Sequence, residues 1–153
     1  MILREWEIVG RPISQAMGFI YLTICNGKYY VGKKTMFNKR TRPPLKGKKR
    51  RRVDMVDSNW RKYYGSSKKL DEHLQQAASD EPCKRFILHF CKNKSEMALA
   101  EVYYQTILQC LEDERCLNGQ IKVYLGKSNL GDDIYKRFVI GGKTAKETLK
   151  NEL

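Results

Sequence analysis

The dipeptide Asn26-Gly27 is the feature that most constrains how this chain can fold. It lies between two runs of β-forming residues, 18–25 and 28–34. Asn and Gly both accept the positive φ angles of a type I′ turn, so the pattern is a strong local signal for a two-residue β-hairpin. We therefore predict that residues 18–34 form an antiparallel hairpin.

The register of this hairpin decides which side chains share a face. With that turn, Thr23 lies opposite Tyr30, and Tyr21 lies opposite Gly32. Because side chains alternate along a strand, one face carries an almost wholly apolar set that we expect to meet the core: Ile20, Leu22, Ile24, Tyr29 and Val31. Tyr21 and Tyr30 share the other face as diagonal neighbours, roughly 7–8 Å apart at the backbone, so their hydroxyl groups can converge. Gly32 beside them leaves room for a ligand.

The charge of the chain predicts a polyanionic partner. Its 153 residues include 30 Lys and Arg against 17 Asp and Glu, a formal net charge of +13. Such an excess attracts nucleic acids and anionic membrane surfaces. No run of about 18 apolar residues is present to span a bilayer, and the N-terminus lacks the pattern of a signal peptide. Nucleic acid is therefore the expected partner and the cytoplasm the expected location.

One segment concentrates this charge. Residues 39–52 contain nine basic residues and no acidic one, and they are interrupted by Pro43-Pro44 and Gly47. These residues argue against a continuous helix, so the segment is interpreted as a basic loop that binds duplex phosphates without reading sequence. The residues expected to contact DNA are Lys46, Lys48, Lys49, Arg50, Arg51 and Arg52.

Three further elements complete the predicted fold. A helix is expected around Leu70, Leu74 and Ala78, a buried strand over residues 86–91, and a second helix over about 95–112 with Asn93 or Ser95 as its N-cap. Together with the hairpin, they predict a single α+β domain over residues 1–153, with a small three-stranded antiparallel sheet flanked by helices. Its core spans about 18–119, and 120–153 form a short extension in which residues 144–150 are compatible with a short helix.

Glu101 stands out on the second predicted helix. At a period of 3.6 residues it falls inside an apolar stripe formed by Met97, Ala100, Tyr104, Ile107, Leu108 and Leu111. An ionised carboxylate directed into a core is costly unless it is paired or binds a metal. Two interpretations stay open: a metal ligand, or a residue at the edge of the stripe that pairs with a lysine. Glu96, Glu112 and Glu114 are interpreted as surface charges.

The cysteines and histidines give no sign of a zinc site. The five cysteines contain no Cys-x-x-Cys pair, so we interpret them as reduced, partly buried thiols. His73 and His89, the only two histidines, have no partner at ligand spacing and are interpreted as structural.

The tyrosine motifs resemble a known family. Phe19-Ile20-Tyr21 and Tyr30-Val31-Gly32 are similar to the two motifs that name the GIY-YIG nuclease superfamily, with Phe19 in place of the first glycine. The resemblance continues in the family's order with Glu101, at the place of its metal-binding glutamate, and Asn118, at the place of its late asparagine. It covers residues 18–119 and is greatest to the free-standing phage nucleases, which include homing endonucleases.

The resemblance leaves the catalytic arginine undecided. Arg40 stands eight residues after the second motif, but Pro43-Pro44 interrupts the region where the family's arginine helix runs. Arg61, in the segment Trp60–Ser67 that is also similar to the phage group, is the rival. Tyr64 is the candidate for the histidine or tyrosine that often follows this arginine.

The resemblance implies metal-dependent hydrolysis of DNA phosphodiester bonds. Tyr21 would act as or assist the general base for water, and Tyr30 would hold the water or the phosphate in line. Glu101 would hold one divalent ion, Mg²⁺ or alternatively Mn²⁺, while Arg40 or Arg61 grips the phosphate and Asn118 orders the site. Tyrosine has an unperturbed pKa of about 10, so the basic loop or the metal has to lower it.

Two other functions are compatible with the sequence. A non-catalytic nucleic-acid-binding protein would use the basic loop and surface tyrosines as phosphate and stacking contacts, and it would be indifferent to Glu101. A restriction or repair nuclease would keep the same fold. The target, nicking against double-strand cutting, and the choice between monomer and dimer are left open by the sequence.

Overall fold

The computed structural model describes residues 3–65, 67–76, 83–127, 130–131 and 133–153. In chain order its elements are β1 (Leu3–Ile8), β2 (Gly18–Cys25), β3 (Lys28–Thr35), β4 (Phe37–Arg42), β5 (Arg52–Asp57), a 3-10 turn (Trp60–Lys62), α1 (Lys68–Gln76), β6 (Cys83–Cys91), α2 (Lys94–Ile107) and α3 (Ile134–Glu152). The predicted positions Ala78 and Ser66 lie outside the described residues.

The main sheet has four strands in the order β1-β6-β2-β3. Strand β2 pairs antiparallel with both β3 and β6, which gives the three antiparallel strands that were predicted. Strand β1 adds a fourth, parallel strand beside β6 that was not predicted. It is a short edge strand in which Glu5 and Glu7 are exposed, so its pattern lacks the apolar run of a buried strand. The α+β fold class is confirmed, with a sheet of four strands instead of three.

The hairpin has the predicted register. Tyr21 pairs with Gly32, Thr23 pairs with Tyr30, and Cys25 pairs with Lys28. The turn residues Asn26 and Gly27 have φ angles of 49° and 73°, as a type I′ turn requires. The local turn chemistry therefore decides the register, and the register decides which face carries each tyrosine.

Helices α2 and α3 cover the apolar face of the hairpin. The side chains that the register assigns to this face lie in the principal core cluster, together with residues of both helices: Ile20, Leu22, Ile24, Tyr29, Val31, Ala100, Tyr104, Ile134 and Phe138. The predicted short extension therefore contains a 19-residue helix that is part of the core. Its inward residues Ile134, Phe138 and Ala145 recur at helical spacing.

Helix α2 begins and ends at local signals. Asn93 is the N-cap, and its side chain accepts a hydrogen bond of 2.8 Å from the Glu96 amide. The helix ends at Ile107, earlier than the predicted Glu112. Gln109 has a φ of 56°, a left-handed conformation that stops a right-handed helix.

The predicted basic loop over residues 39–52 is wrong in its extent. Strands β4 and β5 form a separate two-stranded sheet in which Arg42 pairs with Arg52, so only residues 43–51 connect them. Pro43 and Pro44 end β4 because proline cannot donate a backbone hydrogen bond. The basic residues therefore lie on a β-ribbon and at its tip; we call residues 37–57 the basic ribbon.

The interpretation of all cysteines as reduced is also wrong. Cys25, the last residue of β2, forms a disulfide with Cys83, the first residue of β6. These strands are antiparallel neighbours, which brings the two Cα atoms to 4.5 Å although the residues are 58 positions apart. Cys91, Cys110 and Cys116 are free thiols. Within the described residues, no helix is both long and apolar enough to cross a membrane.

Candidate active site at the edge of the tyrosine hairpin

Tyr21 and Tyr30 lie side by side on the face of the sheet opposite to α2. Their ring centroids are 6.1 Å apart and their planes are inclined by 35°. The Tyr21 hydroxyl lies directly over Gly32, where an added Cβ would come within 2.5 Å of the Tyr21 Oη. The glycine of the second motif is thus required by the tyrosine of the first, because any side chain there would displace the hydroxyl.

The surroundings of Tyr21 keep its hydroxyl protonated. Its ring is 1% exposed, and it packs edge-on against Trp6 at 5.7 Å and Tyr63 at 5.8 Å. Burial, followed by the neighbouring Tyr63 and Tyr30 hydroxyls, raises the pKa of Tyr21 well above its ordinary value. Burial, Tyr63 and Glu101 raise the pKa of Tyr30 to about 12. The protein alone does not supply the lowered tyrosine pKa that the sequence interpretation required.

Glu101 points from α2 toward the end of β3. Its carboxylate lies 3.0 Å from the Lys33 Nζ, and its side chain is 19% exposed. Gln105, one turn later, donates to Glu101 over 3.4 Å and to the backbone oxygen of Val31 over 3.1 Å. Glu101 is thus neither buried among apolar side chains nor freely solvated, and its only charged partner among the described residues is one half-exposed lysine.

Asn118 holds the outer edge of β3. Its Oδ1 accepts from the Val31 amide over 2.9 Å, and its Nδ2 donates to the Val31 oxygen over 2.8 Å. The side-chain amide therefore pairs with β3 as a neighbouring strand would. The segment that carries it also contacts β3 through backbone bonds between Tyr29 and residues Arg115 and Leu117.

An open groove of about 800 Å³ runs along this edge. Because β3 is an edge strand, the groove collects Tyr30 from one face of the sheet and Lys33 and Glu101 from the other. Its wall contains four lysines (Lys33, Lys68, Lys69 and Lys122) and one carboxylate (Glu101). Asn118 is among its other polar residues. A groove with this charge favours an anionic ligand such as a phosphodiester.

The donor atoms in the groove fit a hard divalent cation. Glu101 offers carboxylate oxygens, and Tyr30 lines the same groove. Mg²⁺ prefers oxygen ligands and usually keeps several waters, so one carboxylate is sufficient for it.

The two candidate arginines lie away from this groove. Arg40 is an exposed residue of β4, opposite Asp54. Arg61 is also exposed; its Nη1 lies 2.6 Å from Asp57, and its guanidinium covers the ring of Trp60 at 4.4 Å. Neither residue is part of the groove wall.

Tyr63, which sequence reasoning overlooked in favour of Tyr64, is the tyrosine that contacts Tyr21. Lys34 lies over the ring of Tyr63, 4.2 Å from its centroid. The ring of Tyr64 is buried beneath the guanidinium of Arg85 at 4.2 Å. Two adjacent tyrosines in a turn give no periodic signal for which one points inward.

Arg85 on β6 holds the Tyr63–Tyr64 segment in the orientation that brings Tyr63 to Tyr21. Sequence reasoning also overlooked this residue. Its side chain is 4% exposed, and its Nη1 donates to the backbone oxygens of Arg61 and Tyr63 over 3.0 and 2.9 Å. Burial lowers the pKa of Arg85. Lys33 was missed as well, although alternation from Val31 places it on the α2 face, toward Glu101.

A second polar cluster lies inside the protein. Atoms of His89, Cys91 and Glu96 approach within 4.8 Å of one another, a group with the chemistry of metal ligands. However, Arg137 of α3 already places its Nη1 2.6 Å from the Glu96 Oε1, and His89 lies 3.2 Å from the same oxygen. Because the guanidinium supplies the positive charge there, we assign the cluster to internal charge compensation.

This cluster corrects the interpretation of Glu96 as a surface charge. Glu96 is completely buried. Burial alone would raise the pKa of Glu96, but the hydrogen bonds from His89 and Arg137 outweigh it, and the pKa is lowered. Cys91 and Glu96 lie at ligand spacing from His89, where the sequence interpretation expected no partner, and burial lowers the pKa of His89. The His73 Nε2 lies 2.7 Å from the Cys25 oxygen.

The α+β fold and the tyrosine pair over a glycine define a GIY-YIG domain, a class of endonuclease domains. The family model described as "Putative endonuclease segE, GIY-YIG domain" matches residues 2–128. The chain belongs to this family, which confirms the resemblance inferred from the tyrosine motifs. Comparisons with curated proteins and with solved structures found no match.

Proposed function

We propose that this protein is a divalent-metal-dependent endonuclease that hydrolyses phosphodiester bonds of double-stranded DNA. The observation that carries the proposal is the groove in which Glu101 and Tyr30 face a wall of lysines. A duplex phosphate in this groove would lie beside the Glu101 carboxylate and the Tyr30 phenol. Membership in an endonuclease family supports the reaction class.

In this proposal Glu101 holds the cation, Mg²⁺ or alternatively Mn²⁺. When bound, such an ion neutralises charge on the phosphoryl oxygens and promotes ionisation of a coordinated water. Lys33, which pairs with Glu101 at 3.0 Å, is released to bind a phosphate oxygen. Lys68, Lys69 and Lys122 extend the anion-binding wall.

The tyrosines act as protonated phenols in the free protein. Tyr30, at the groove wall, donates a hydrogen bond to the phosphate or orients the attacking water. Tyr21, behind it, contacts Tyr30 and Tyr63. We propose that it assists as general base: its phenolate, formed by loss of the proton to solvent once a nearby positive charge lowers its pKa, would accept a proton of the attacking water relayed through the Tyr30 hydroxyl. Asn118 keeps the Tyr30 strand in place through its two bonds to Val31.

For the family's histidine or tyrosine that follows the catalytic arginine, we propose Tyr63 in place of Tyr64, because Tyr63 contacts Tyr21. Arg61 is favoured over Arg40 as the phosphate-binding arginine, because the Arg85 bonds hold the backbone of Arg61 beside Tyr63. The side chain of Arg61 has to leave Asp57 to reach a phosphate. An exposed ion pair of this kind is worth little, so the rearrangement is inexpensive.

The biological setting is proposed from the resemblance. A free-standing, homing-type phage endonuclease acting in the host cytoplasm agrees with the family match. The basic residues 46–52 would bind duplex phosphates in this setting. A restriction or repair role would use the same site and would differ only in the DNA that is cut.

The deciding experiment is cleavage of supercoiled plasmid and of long mixed-sequence DNA. Nicked and linear products are expected with Mg²⁺, none with EDTA, and recovery with added Mn²⁺. The Glu101→Gln protein, purified in the same way, controls for contaminating nucleases. Cutting that continues unchanged in EDTA would contradict the metal-dependent mechanism.

A non-catalytic DNA-binding function is the second candidate, and the Lys33–Glu101 ion pair favours it. If this pair persisted on DNA, the carboxylate would be unavailable to a metal. Such a protein would bind duplex DNA without cutting it under any metal, and Glu101→Gln would leave binding unchanged.

A further inference from the structure

The basic ribbon projects from the domain. All six residues of β4 are exposed, and β5 alternates between exposed and half-buried positions. The ribbon is attached to the domain at its base, where the Ser58 amide bonds to the Met36 oxygen over 2.9 Å and the Ser58 hydroxyl bonds to the Thr35 oxygen over 2.6 Å. Isolated two-stranded ribbons are only marginally stable in water, so a projecting ribbon indicates a surface used with a partner.

The two faces of the ribbon differ in chemistry. One face carries arginines that are satisfied within the ribbon: Arg42 donates to Asp54 over 3.0 Å, and Arg52 donates to the Pro43 oxygen over 3.1 Å. The opposite face joins Phe37, Lys39, Thr41, Val53, Met55 and Asp57 through the cross-strand pairs, and the Asp57 carboxylate is paired with Arg61. Its large apolar members are exposed by 42% (Phe37), 57% (Val53) and 51% (Met55).

Charge identifies the partner of this apolar face. The ribbon and its tip carry nine basic residues and two acidic ones, an excess that disfavours a second copy of this basic chain and favours a polyanion. The major groove of B-DNA admits a two-stranded β-ribbon, and it presents the thymine methyl group to apolar side chains. Residues 43–51 at the tip would meet phosphates on either side of the groove.

We propose that the basic ribbon enters the DNA major groove and that Thr41, Val53 and Met55 contact base edges there. This inference deepens the proposed function by naming the surface that selects the DNA. The ribbon base follows directly on β3, beside the groove with Glu101 and Tyr30. Six residue pairs span about 20 Å, so the ribbon would read bases within roughly 6 base pairs of the cut.

The test separates binding mode from cleavage by using the Glu101→Gln protein. It is bound to a random-sequence DNA duplex and treated with dimethyl sulfate, which methylates guanine N7 in the major groove and adenine N3 in the minor groove. We expect protection of guanine N7. Adding Val53→Ser and Met55→Ser should abolish this protection and weaken binding about tenfold, a loss comparable to that of one base contact.

The matched control is Val139→Ser with Ile140→Ser, two equally exposed apolar residues on α3, and it should leave the protection intact. Protection of adenine N3 alone, or guanine protection that survives the ribbon substitutions, would overturn the proposal. Equal binding to double-stranded RNA would also overturn the proposal, because the A-form major groove is too narrow for side chains to read. A protein that shows this footprint but never cuts would disprove the nuclease function and leave the ribbon proposal standing.

Discussion

Two glutamates on the same helix occupy opposite environments. Glu96, in the first turn of α2, is completely buried; Arg137 compensates its charge, and His89 hydrogen-bonds to the same carboxylate oxygen. Glu101, five residues later, faces the groove and contacts only Lys33 among the charged groups of the described residues. A buried carboxylate whose charge is compensated belongs to the stability of the fold, whereas a partly exposed carboxylate with one replaceable partner is available for chemistry. Burial and partners, rather than residue type, separate the two roles.

The largest expected effect is on catalysis. Glu101→Gln keeps the shape of the side chain and removes the charge that would hold the metal, so cleavage should fall by about a thousandfold or more. The melting temperature and DNA binding should stay close to those of the unchanged protein. Gel-based cleavage rates and thermal unfolding measure the two quantities. Glu112→Gln, an exposed residue beyond α2, is the control; retention of full activity by Glu101→Gln would remove the distinction between the two glutamates.

Glu96→Gln should show the reverse pattern. It leaves the Arg137 guanidinium partly buried without its counter-ion, and the free energy of unfolding should decrease by about 3 kcal/mol. Urea unfolding measures the decrease. Cleavage per folded molecule should be nearly unchanged. A Glu96→Gln protein that is stable but inactive would mean that the internal cluster takes part in the reaction.

A pair of tyrosines sharpens the comparison between site and core. Tyr21→Phe removes the hydroxyl over Gly32, and cleavage should fall by about a hundredfold while the fold is retained. Tyr29→Phe removes the 2.7 Å bond to the Leu108 oxygen and should cost about 1 kcal/mol of stability while cleavage persists. Activity and unfolding are compared in the same preparations. Inactivity of Tyr29→Phe combined with normal cutting by Tyr21→Phe would show that the site is on the other face.

The smallest expected effect is the pH dependence of stability. The pKa of Glu96 is lowered by folding, so its contribution is present at neutral pH and is lost as the pH falls through the carboxyl range. The pKa of His89 is also lowered, so the unfolded chain binds this proton more readily below about pH 6.5. Both groups predict decreasing stability on acidification. Urea unfolding midpoints measured between pH 7 and pH 4 test this prediction. Glu96→Gln should make the midpoint less dependent on pH at the acidic end of this range. Stability that rises toward pH 4 would contradict the assignment of Glu96 and His89 to internal charge compensation.

Features governed by neighbouring residues could be predicted from the sequence. The Asn26-Gly27 turn sets the hairpin register, which places Tyr21 over Gly32. The helical period places Glu101 on the same side of α2 as Ala100 and Tyr104, and pairing with a lysine was one of the two interpretations that the sequence left open. In both cases the relevant residues are close together in the chain, so periodicity and turn chemistry were sufficient.

Features that depend on distant partners could not be predicted. The helical pattern of α2 gives no information about Arg137, which is 41 residues beyond Glu96 and decides that the glutamate is buried. The choice between Tyr63 and Tyr64 depends on Arg85, more than 20 residues away. The two prolines were interpreted as ending regular structure throughout the basic segment, whereas they end only β4, and β5 resumes after the tip.

The pairing of Asn118 with β3 also affects how the protein behaves in concentrated solution. An open strand edge is a template for pairing with another chain, and proteins commonly block such edges with a covering segment or with lysines. Here the segment from Arg115 to Asn118 covers β3 at Tyr29 and Val31, and Lys33 and Lys34 follow along the same strand. The amide that pairs with Val31 thus also protects the sheet against self-association.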